Sequence, residues 1–313
     1  MNTILKLLVT GLLSFSVLMP TYAMAAEFAD MPDDWTTPAL ERAVENGLLN
    51  GSDGLILPYN NITRAEMAAI MVRAFGANAE ADISAFPDVS PDKWYYSEFA
   101  KAVKMNAFGG TDDGKLNPEN YITYEECFTV VSRVFGLRGI VNEANEEVYD
   151  CLDVFSDSDL VADWAKPYMS RIVGNGYWDG IDNMLKPKDY ITRAEFAVLM
   201  DNMIQVYITE PGTYTELEDG NVLIKANDVT LDTITTDNMI IVGDGVTGTT
   251  NLKNITSTSQ ICVRGGSMVI TGKIHHLSAL CEGVDIDISG IEERTGKIYL
   301  AEGTNLNLGN FYQ

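Results

Sequence analysis

Hydrophobic residues in the first two thirds of the chain recur at helical spacing. Between Trp35 and Gly47, the apolar positions Leu40, Ala43 and Val44 mark one face of a short amphipathic helix, and the glycine ends it. Similar segments follow two later tryptophans. The pattern therefore predicts a short helix after each of these three tryptophans.

A second apolar stripe follows each short helix. In its first occurrence, Met67, Ile70, Met71 and Phe75 share one helix face, directly after the sequence "ITRAE" at 62–66. A threonine and a glutamate three positions apart are typical of a capping box. In this motif the hydroxyl accepts from the glutamate amide and the carboxylate accepts from the threonine amide. Each such cap is worth roughly 1 kcal/mol.

The same five-residue slot occurs three times. "ITRAE" returns at 191–195 and "ITYEE" stands at 122–126, so the threonine and the glutamate are always present whereas the arginine is not. The caps are therefore predicted at Thr63, Glu66, Thr123, Glu126, Thr192 and Glu195. The residue after each threonine is expected to face outward, where its identity matters for binding rather than for folding.

The slot belongs to a longer internal repeat. Each copy begins with an aromatic residue and an aspartate two positions later, continues through a tryptophan and a Gly/Asp turn, and ends in the capped helix. The tryptophan and the capping threonine lie 28, 29 and 28 residues apart in the three copies. We predict three helical repeats, at 27–77, 84–137 and 153–205.

The pattern changes after Ile204, where Thr, Asn, Gly, Val and Ile dominate. A Leu-x-x-Ile template recurs, with one longer variant, at steps of about 18 to 21 residues. Its copies are Leu231–Ile234, Leu252–Ile255, Val269–Ile274, Ile288–Ile291 and Leu308–Phe311. Short β runs at this period predict a parallel β-helix or solenoid of roughly five coils over 210–313. Because solenoid coils couple to their nearest neighbours, we expect the two halves to unfold independently.

Composition supports two globular units and narrows the partners. The chain has 313 residues, of which 46% are hydrophobic. Asp and Glu number 45 against 21 Lys and Arg, which gives a formal net charge of −24. Such a surface repels nucleic acid and anionic lipid, so we predict neither as a partner.

The first 25 residues are predicted to be a secretory signal peptide. Lys6 precedes the apolar run Leu7–Met19, and Ala23-Met24-Ala25 supplies the cleavage site. The run is short for a membrane span, and no apolar segment of about 18 residues follows. The mature chain is therefore predicted to be exported and to contain no transmembrane segment.

The repeats from Phe28 to about Ile204 resemble the S-layer homology domain in their tryptophan, their early aspartate and their "ITRAE" sequence. The resemblance implies an all-α pseudo-threefold bundle with grooves between adjacent repeats. In that family the grooves hold cell-wall polysaccharide, commonly a secondary polymer that ends in a pyruvylated amino sugar, and the arginine binds the pyruvyl carboxylate. The glycan-binding residues that this implies are Arg64, Arg193, Trp35, Trp94, Trp164, Asp30, Asp88 and Asp157.

The residues themselves suit this chemistry. A guanidinium presents a planar fork of donors to a carboxylate, and a tryptophan face suits the C–H side of a sugar ring. Tyr124 stands where the other repeats have arginine and cannot form the ionic fork. Its groove is therefore predicted to bind weakly or not at all.

We thus predict a surface protein of the cell wall or S-layer that is anchored non-covalently to cell-wall polysaccharide or peptidoglycan and displays the solenoid. Enzymatic activity, cofactors and metal ions are not predicted. One alternative is a wall-attached carbohydrate-active enzyme with its site in the solenoid. Another is a tether between an outer membrane and peptidoglycan.

The solenoid contains two pairs of residues that could support chemistry. Asp285 and Asp287 alternate along one strand, so they share a face that could hold calcium or act as an acid–base pair, although a solvated outer face is favoured. His275 and His276 are expected to point two ways, with no third metal ligand nearby.

The four cysteines, Cys127, Cys151, Cys262 and Cys281, contain no C-x-x-C pair. A buried thiol is expected at Cys127. Export permits a disulfide between Cys262 and Cys281, but spacing alone leaves this open.

Overall fold

A computed structural model describes residues 28–139 and 146–309. The predicted signal peptide and Phe311 lie outside the described residues. This part of the chain folds into six α-helices, with two 3₁₀ turns before α5, and then thirteen β-strands. The helices are α1 (Thr37–Glu45), α2 (Arg64–Phe75), α3 (Tyr96–Lys104), α4 (Tyr124–Val134), α5 (Lys166–Gly174) and α6 (Arg193–Met203).

Each repeat contributes one short and one long helix. The short helices α1, α3 and α5 pack across repeat boundaries, against α6, α2 and α4 respectively. In α2 all but two residues are buried, whereas α1 buries only one face. A helix that is buried nearly all round belongs at the centre of a bundle. The long helices therefore form the central layer, as the resemblance implied.

All three long helices begin with a capping box. In α2, the Glu66 amide donates to Thr63 Oγ1 over 3.2 Å and the Thr63 amide donates to Glu66 Oε2 over 2.8 Å. The same reciprocal pair forms in α4 and α6. The threonine and the glutamate of each slot thus fix where the long helix starts.

A closed ring of backbone hydrogen bonds lies where the three repeats meet. The Ile62 amide donates to Ile191, the Ile191 amide to Ile122 and the Ile122 amide to Ile62, over 3.0, 3.2 and 3.2 Å. All three isoleucine residues are fully buried. This triangle marks the pseudo-threefold axis of the helical half.

The strands after α6 form two parallel sheets. They are β1 (Val206–Ile208), β2 (Gly212–Tyr214), β3 (Val222–Ile224), β4 (Val229–Asp232), β5 (Thr235–Thr236), β6 (Ile240–Val242), β7 (Thr249–Ser257), β8 (Gln260–Val263), β9 (Ser267–Ile274), β10 (His276–Ala279), β11 (Asp285–Arg294), β12 (Ile298–Leu300) and β13 (Asn305–Asn307). One sheet has the order β1-β3-β6-β8-β10-β12, and the other has β2-β4-β7-β9-β11-β13 with β5 beside β7.

This arrangement is a parallel β-solenoid, which confirms the predicted fold. Template residues such as Leu231, Leu252, Ile255 and Ile288 are fully buried in its interior. The described residues contain six coils rather than roughly five. The first coil, β1 and β2, precedes the Leu-x-x-Ile template and starts directly after α6, so the template does not reveal it.

The central strands β3, β6 and β8 of the six-stranded sheet are buried on both faces. In β3, Val222 and Ile224 face the solenoid interior, whereas Leu223 belongs to the core of the helices. Ile241 in β6 and Cys262 in β8 also pack into the helical core. The core of the helices therefore extends into this sheet and is shared by the two halves, whereas the solenoid interior forms a second core.

Polar side chains of the solenoid bind the C-terminal ends of the helices. Arg264 is 3% exposed, and its Nη1 and Nη2 donate to the carbonyl oxygens of Val134 and Met105 at 2.8 and 2.7 Å. Asp244 pairs with the same guanidinium at 2.7 Å, and Lys225 donates to the last turn of α2. Cations thus meet the unpaired carbonyl groups and the negative dipole ends of the helices.

The N-terminal ends of the long helices therefore point away from the solenoid. We call this end of the bundle the apex; it comprises the starts of α2, α4 and α6 and the loops at 57–63, 117–123 and 186–192.

Candidate glycan-binding grooves

Backbone hydrogen bonds join the three repeats at the apex. The first two amides of each long helix donate to carbonyl oxygens in the loop of another repeat, over 2.9 to 3.2 Å. The pairs are Arg64–Asn120, Ala65–Pro118, Tyr124–Asp189, Glu125–Pro187, Arg193–Asn60 and Ala194–Pro58. Together with the capping boxes, these bonds satisfy the free amides of each helix start. An anion at the apex must therefore be bound chiefly by side chains.

The two arginines of the repeated slot reach across these junctions. Arg64 Nε donates to the Leu116 carbonyl and Arg193 Nε donates to the Ile56 carbonyl, both over 2.9 Å. Arg64 is only 8% exposed, and Tyr124 at the third position is 1% exposed. The expectation that this position faces outward is wrong, because the side chain lies in the seam between two repeats.

Arg193 shares a groove with a tryptophan. A cavity of about 300 Å³ is lined by Arg193, Trp94, Glu66, Glu119 and Tyr121, among others. Arg193 Nη1 forms an ion pair with Glu66 Oε1 at 3.0 Å, and the other oxygen of Glu66 closes the capping box. Arg193 thus uses two of its five N–H donors, one on Nε for the Ile56 carbonyl and one on Nη1 for Glu66. The remaining donors can bind a ligand carboxylate. We call this cavity the Arg193 groove.

Arg64 occupies the equivalent seam between the first and second repeats, here called the Arg64 groove. Its guanidinium lies over the Phe108 ring, 5.2 Å from the centroid, and it forms no ion pair within the described part of the chain. Burial lowers the pKa of Arg64, while the charges of Glu126 and Asp88 oppose that change. A desolvated cation without a paired carboxylate favours the binding of an anion.

Tyr124 fills the third seam with an aromatic ring. Its ring centroid lies 5.9 Å from that of Phe128 and 5.7 Å from that of Trp178. Burial and the nearby carboxylate of Glu195 raise the pKa of Tyr124, so the phenol is neutral. This seam therefore contains a hydrophobic plug where the other two contain a cation.

The three predicted tryptophans are exposed. Trp35, Trp94 and Trp164 are 59%, 61% and 53% exposed, whereas the residue after each of them is buried. The chain thus packs through the following residue and leaves the indole at the surface. Trp94 lines a cavity together with Arg193, and Trp35 and Trp164 hold the equivalent positions in their repeats.

The three predicted aspartates hold the loops that meet Arg193, Arg64 and Tyr124. Each carboxylate accepts two backbone amides at 2.6 to 3.1 Å. The acceptors and donors are Asp30 with Ile56 and Leu57, Asp88 with Leu116 and Asn117, and Asp157 with Leu185 and Lys186. Desolvation raises the pKa of Asp30, but its two amide donors and the charge of Arg193 hold it below the ordinary value. Asp30 and Asp88 therefore position the carbonyl groups that Arg193 and Arg64 bind.

Sequence reasoning missed two exposed tyrosines at the apex. Tyr121 and Tyr190 directly precede the buried isoleucines Ile122 and Ile191, and they are 50% and 51% exposed. Neighbours along an extended segment point to opposite sides. The sequence "YIT" in the second and third copies could have indicated them, because a tyrosine there alternates with a buried isoleucine.

The aspartate pair and the histidine pair predicted in the solenoid are distant in sequence from these grooves. Asp285 accepts from Asn305 Nδ2 at 2.7 Å, and the Ser289 side chain and amide lower the pKa of Asp287. The rings of His275 and His276 are 4.1 Å apart, so the expectation that they point two ways is wrong. The chain turns a corner there, before β10 begins.

Neither a metal cluster nor a disulfide occurs in the described residues. No group of three or more His, Cys, Asp or Glu side chains within 28–139 and 146–309 is placed to hold a metal ion. All four cysteines are free thiols. Burial raises the pKa of Cys262 to about 12 and that of Cys281 to about 11. Both thiols are therefore protonated at neutral pH.

Comparison with known proteins agrees with this geometry. Residues 27–68, 85–126 and 154–197 match the family model of the S-layer homology domain. The chain is 31% identical over 235 residues to the Surface-layer 125 kDa protein of Lysinibacillus sphaericus, covering 72% of this chain and 19% of that protein.

Two relatives from Acetivibrio thermocellus are also similar. The Cellulosome-anchoring protein is 29% identical over 157 residues, which are 49% of this chain and 34% of that protein. Exoglucanase XynX is 28% identical over 181 residues, which are 57% of this chain and 16% of that protein. The chain thus spans well under two thirds of the length of each relative.

The helical half therefore consists of three S-layer homology domains, and the parallel β-solenoid follows them. These domains and the surface-layer relatives support a cell-surface location. Of the helices that the structure describes, none has the length and apolar character needed to cross a membrane.

Proposed function

We propose that this chain is a non-enzymatic surface protein that binds cell-wall polysaccharide through its S-layer homology domains and displays the solenoid. One observation carries the proposal: Arg193 and Trp94 line the same groove at the apex. A guanidinium beside an exposed aromatic face suits a sugar that bears a carboxylate. The similarity to a protein named as a cellulosome anchor supports an anchoring role.

The ligand that fits best is an acidic sugar, such as the pyruvylated amino sugar that the family resemblance implies. In a chain of net charge −24, an acidic polymer is attracted only where a cation is concentrated. Arg193 and Arg64 supply such cations in two of the three seams. We propose that these two grooves bind glycan, with Trp94 and Trp164 as the sugar-stacking faces, and that the Tyr124 seam does not.

The solenoid is proposed to act as a structural element. A glycosidase needs a carboxylic acid whose pKa is raised so that it remains protonated at working pH. The pKa of Asp287, on the face that sequence reasoning singled out, is instead lowered by Ser289. The similarity to Exoglucanase XynX covers only 16% of that protein, so we do not propose glucanase activity for this chain.

Sedimentation with purified cell walls tests this function. The full chain should pellet with walls and should stay in solution after the non-peptidoglycan polymer has been removed from them. Arg193→Met keeps the apolar stem but removes the charge-assisted bonds, each worth about 1.5–3 kcal/mol. We therefore expect roughly ten- to hundredfold weaker binding.

The control is Arg133→Met, which removes an exposed arginine near the C-terminal end of α4. Its binding should equal that of the wild type. Undiminished binding by the Arg193 variant, or undiminished binding to walls without the polymer, would contradict the proposal.

A further inference from the structure

Two tyrosines lie side by side on the pseudo-threefold axis at the apex. The ring centroids of Tyr121 and Tyr190 are 5.5 Å apart, at an interplanar angle of 57°. Each tyrosine is about half exposed, and it directly precedes one of the buried isoleucines whose backbone hydrogen bonds form the triangle at the axis. The first repeat has Asn61 at the equivalent position. The aromatic pair is therefore a feature of this chain and is not required by the threefold fold.

The pair is continuous with both arginine grooves. Tyr121 lines the Arg193 groove together with Trp94. Its backbone bridges to Thr63, which lines the same groove. By the equivalence of the repeats, Tyr190 stands toward the Arg64 groove as Tyr121 stands toward the Arg193 groove.

Tyr190 extends this surface around the axis. It bridges to Thr123 in the same way, and so lies next to the second repeat. An exposed aromatic pair in a polar surface offers two flat apolar faces, and the C–H face of a sugar ring is a suitable partner. The phenol hydroxyls can form hydrogen bonds with solvent or with sugar hydroxyls.

We propose that Tyr121 and Tyr190 form a stacking subsite for an internal sugar ring of an acidic wall polysaccharide, whose strand runs over the apex between the Arg193 and Arg64 grooves. This inference rests on the proposed function. The arginines bind the charged groups of the strand, and the tyrosine pair binds the neutral backbone between them. The subsite makes affinity depend on the length of the glycan.

The test uses the full chain and wall polymer that has been released from purified walls, cut by mild acid and separated by size. The wild type should bind long fragments more tightly than the shortest fragment that binds. Tyr190→Asn should weaken the binding of long fragments roughly three- to tenfold and leave the shortest one unaffected. Tyr121→Asn also alters the Arg193 groove, so it should weaken the binding of both, and that of long fragments by the larger factor. Asparagine is chosen because the first repeat folds with Asn61 at this position.

Tyr59→Asn is the matched control. Tyr59 is 62% exposed and its hydroxyl donates to Asp34. It is an exposed tyrosine of the apex that does not belong to the tyrosine pair. It should bind all fragments as the wild type does. Affinity that does not depend on length in the wild type, or equal losses for short and long fragments in the tyrosine variants, would overturn the subsite. If neither fragments nor intact walls bind, the proposed function fails and the subsite fails with it.

Discussion

The second residue of the capped slot shows how one backbone site accepts two kinds of side chain. In the first repeat Arg64 lies over Phe108, and in the second Tyr124 lies against Trp178. Phe108 and Trp178 occupy equivalent loops, so both of these seams offer an aromatic wall to the side chain that fills them. An aromatic wall stabilises either a cation or another ring. The fold therefore tolerates the tyrosine, and we propose that its effect is confined to glycan binding.

This argument predicts that Tyr124→Arg creates a third binding groove. The new guanidinium should lie over Trp178 and donate to the Leu185 carbonyl, the counterpart of Leu116. Titration with wall fragments should then show a higher number of sites per chain, with a melting temperature within a few degrees of the wild type. Tyr124→Phe, which keeps the ring, should leave both quantities unchanged. An unchanged number of sites in the folded arginine variant would contradict the prediction.

Among the elements, the starts of the long helices were predictable and the seams were not. A capping box is local, because its two partners are three residues apart, and the sequence "ITRAE" contains both. The loop clamps join Asp30, Asp88 and Asp157 to amides 26 to 29 residues further along the chain. The arginine bonds cross from one repeat to another. No local pattern encodes such distant partners, so the outward orientation expected for Arg64 and Arg193 was wrong.

The caps should matter for stability and not for binding. Thr123→Ala removes the acceptor of the Glu126 amide in α4, where no arginine is involved. The free energy of unfolding, measured by denaturant titration, should fall by about 1 kcal/mol. Thr123→Ser keeps the hydroxyl and should recover most of the loss. If Thr123→Ala weakened wall binding while stability stayed constant, the cap would have a direct role in binding.

At the scale of the molecule, the solenoid forms the base of the helical bundle. The runs at 222–224, 240–242 and 261–263 are apolar at every position. A continuous apolar run is typical of a strand that is buried on both faces. The sequence therefore contained a sign of the shared core, although the Leu-x-x-Ile template alone indicated a separate solenoid. Gly245 adds a close contact: its amide donates to the Phe75 carbonyl, and a Cβ there would collide with the Gly76 carbonyl oxygen.

Strands β3, β6 and β8 contribute side chains to both cores, so a change deep in the solenoid interior is predicted to destabilise the helices as well. Ile255 is fully buried, and Ile255→Asp should lower stability by several kcal/mol because it buries an unpaired charge. All four tryptophans lie between residues 35 and 178, so their fluorescence reports on the helical half alone. We expect the fluorescence midpoint of thermal unfolding to fall together with that of the far-ultraviolet circular dichroism. Val269→Asp, on the exposed outer face, should shift neither. A fluorescence midpoint that stays at the wild-type value in the Ile255 variant would show that the halves unfold separately.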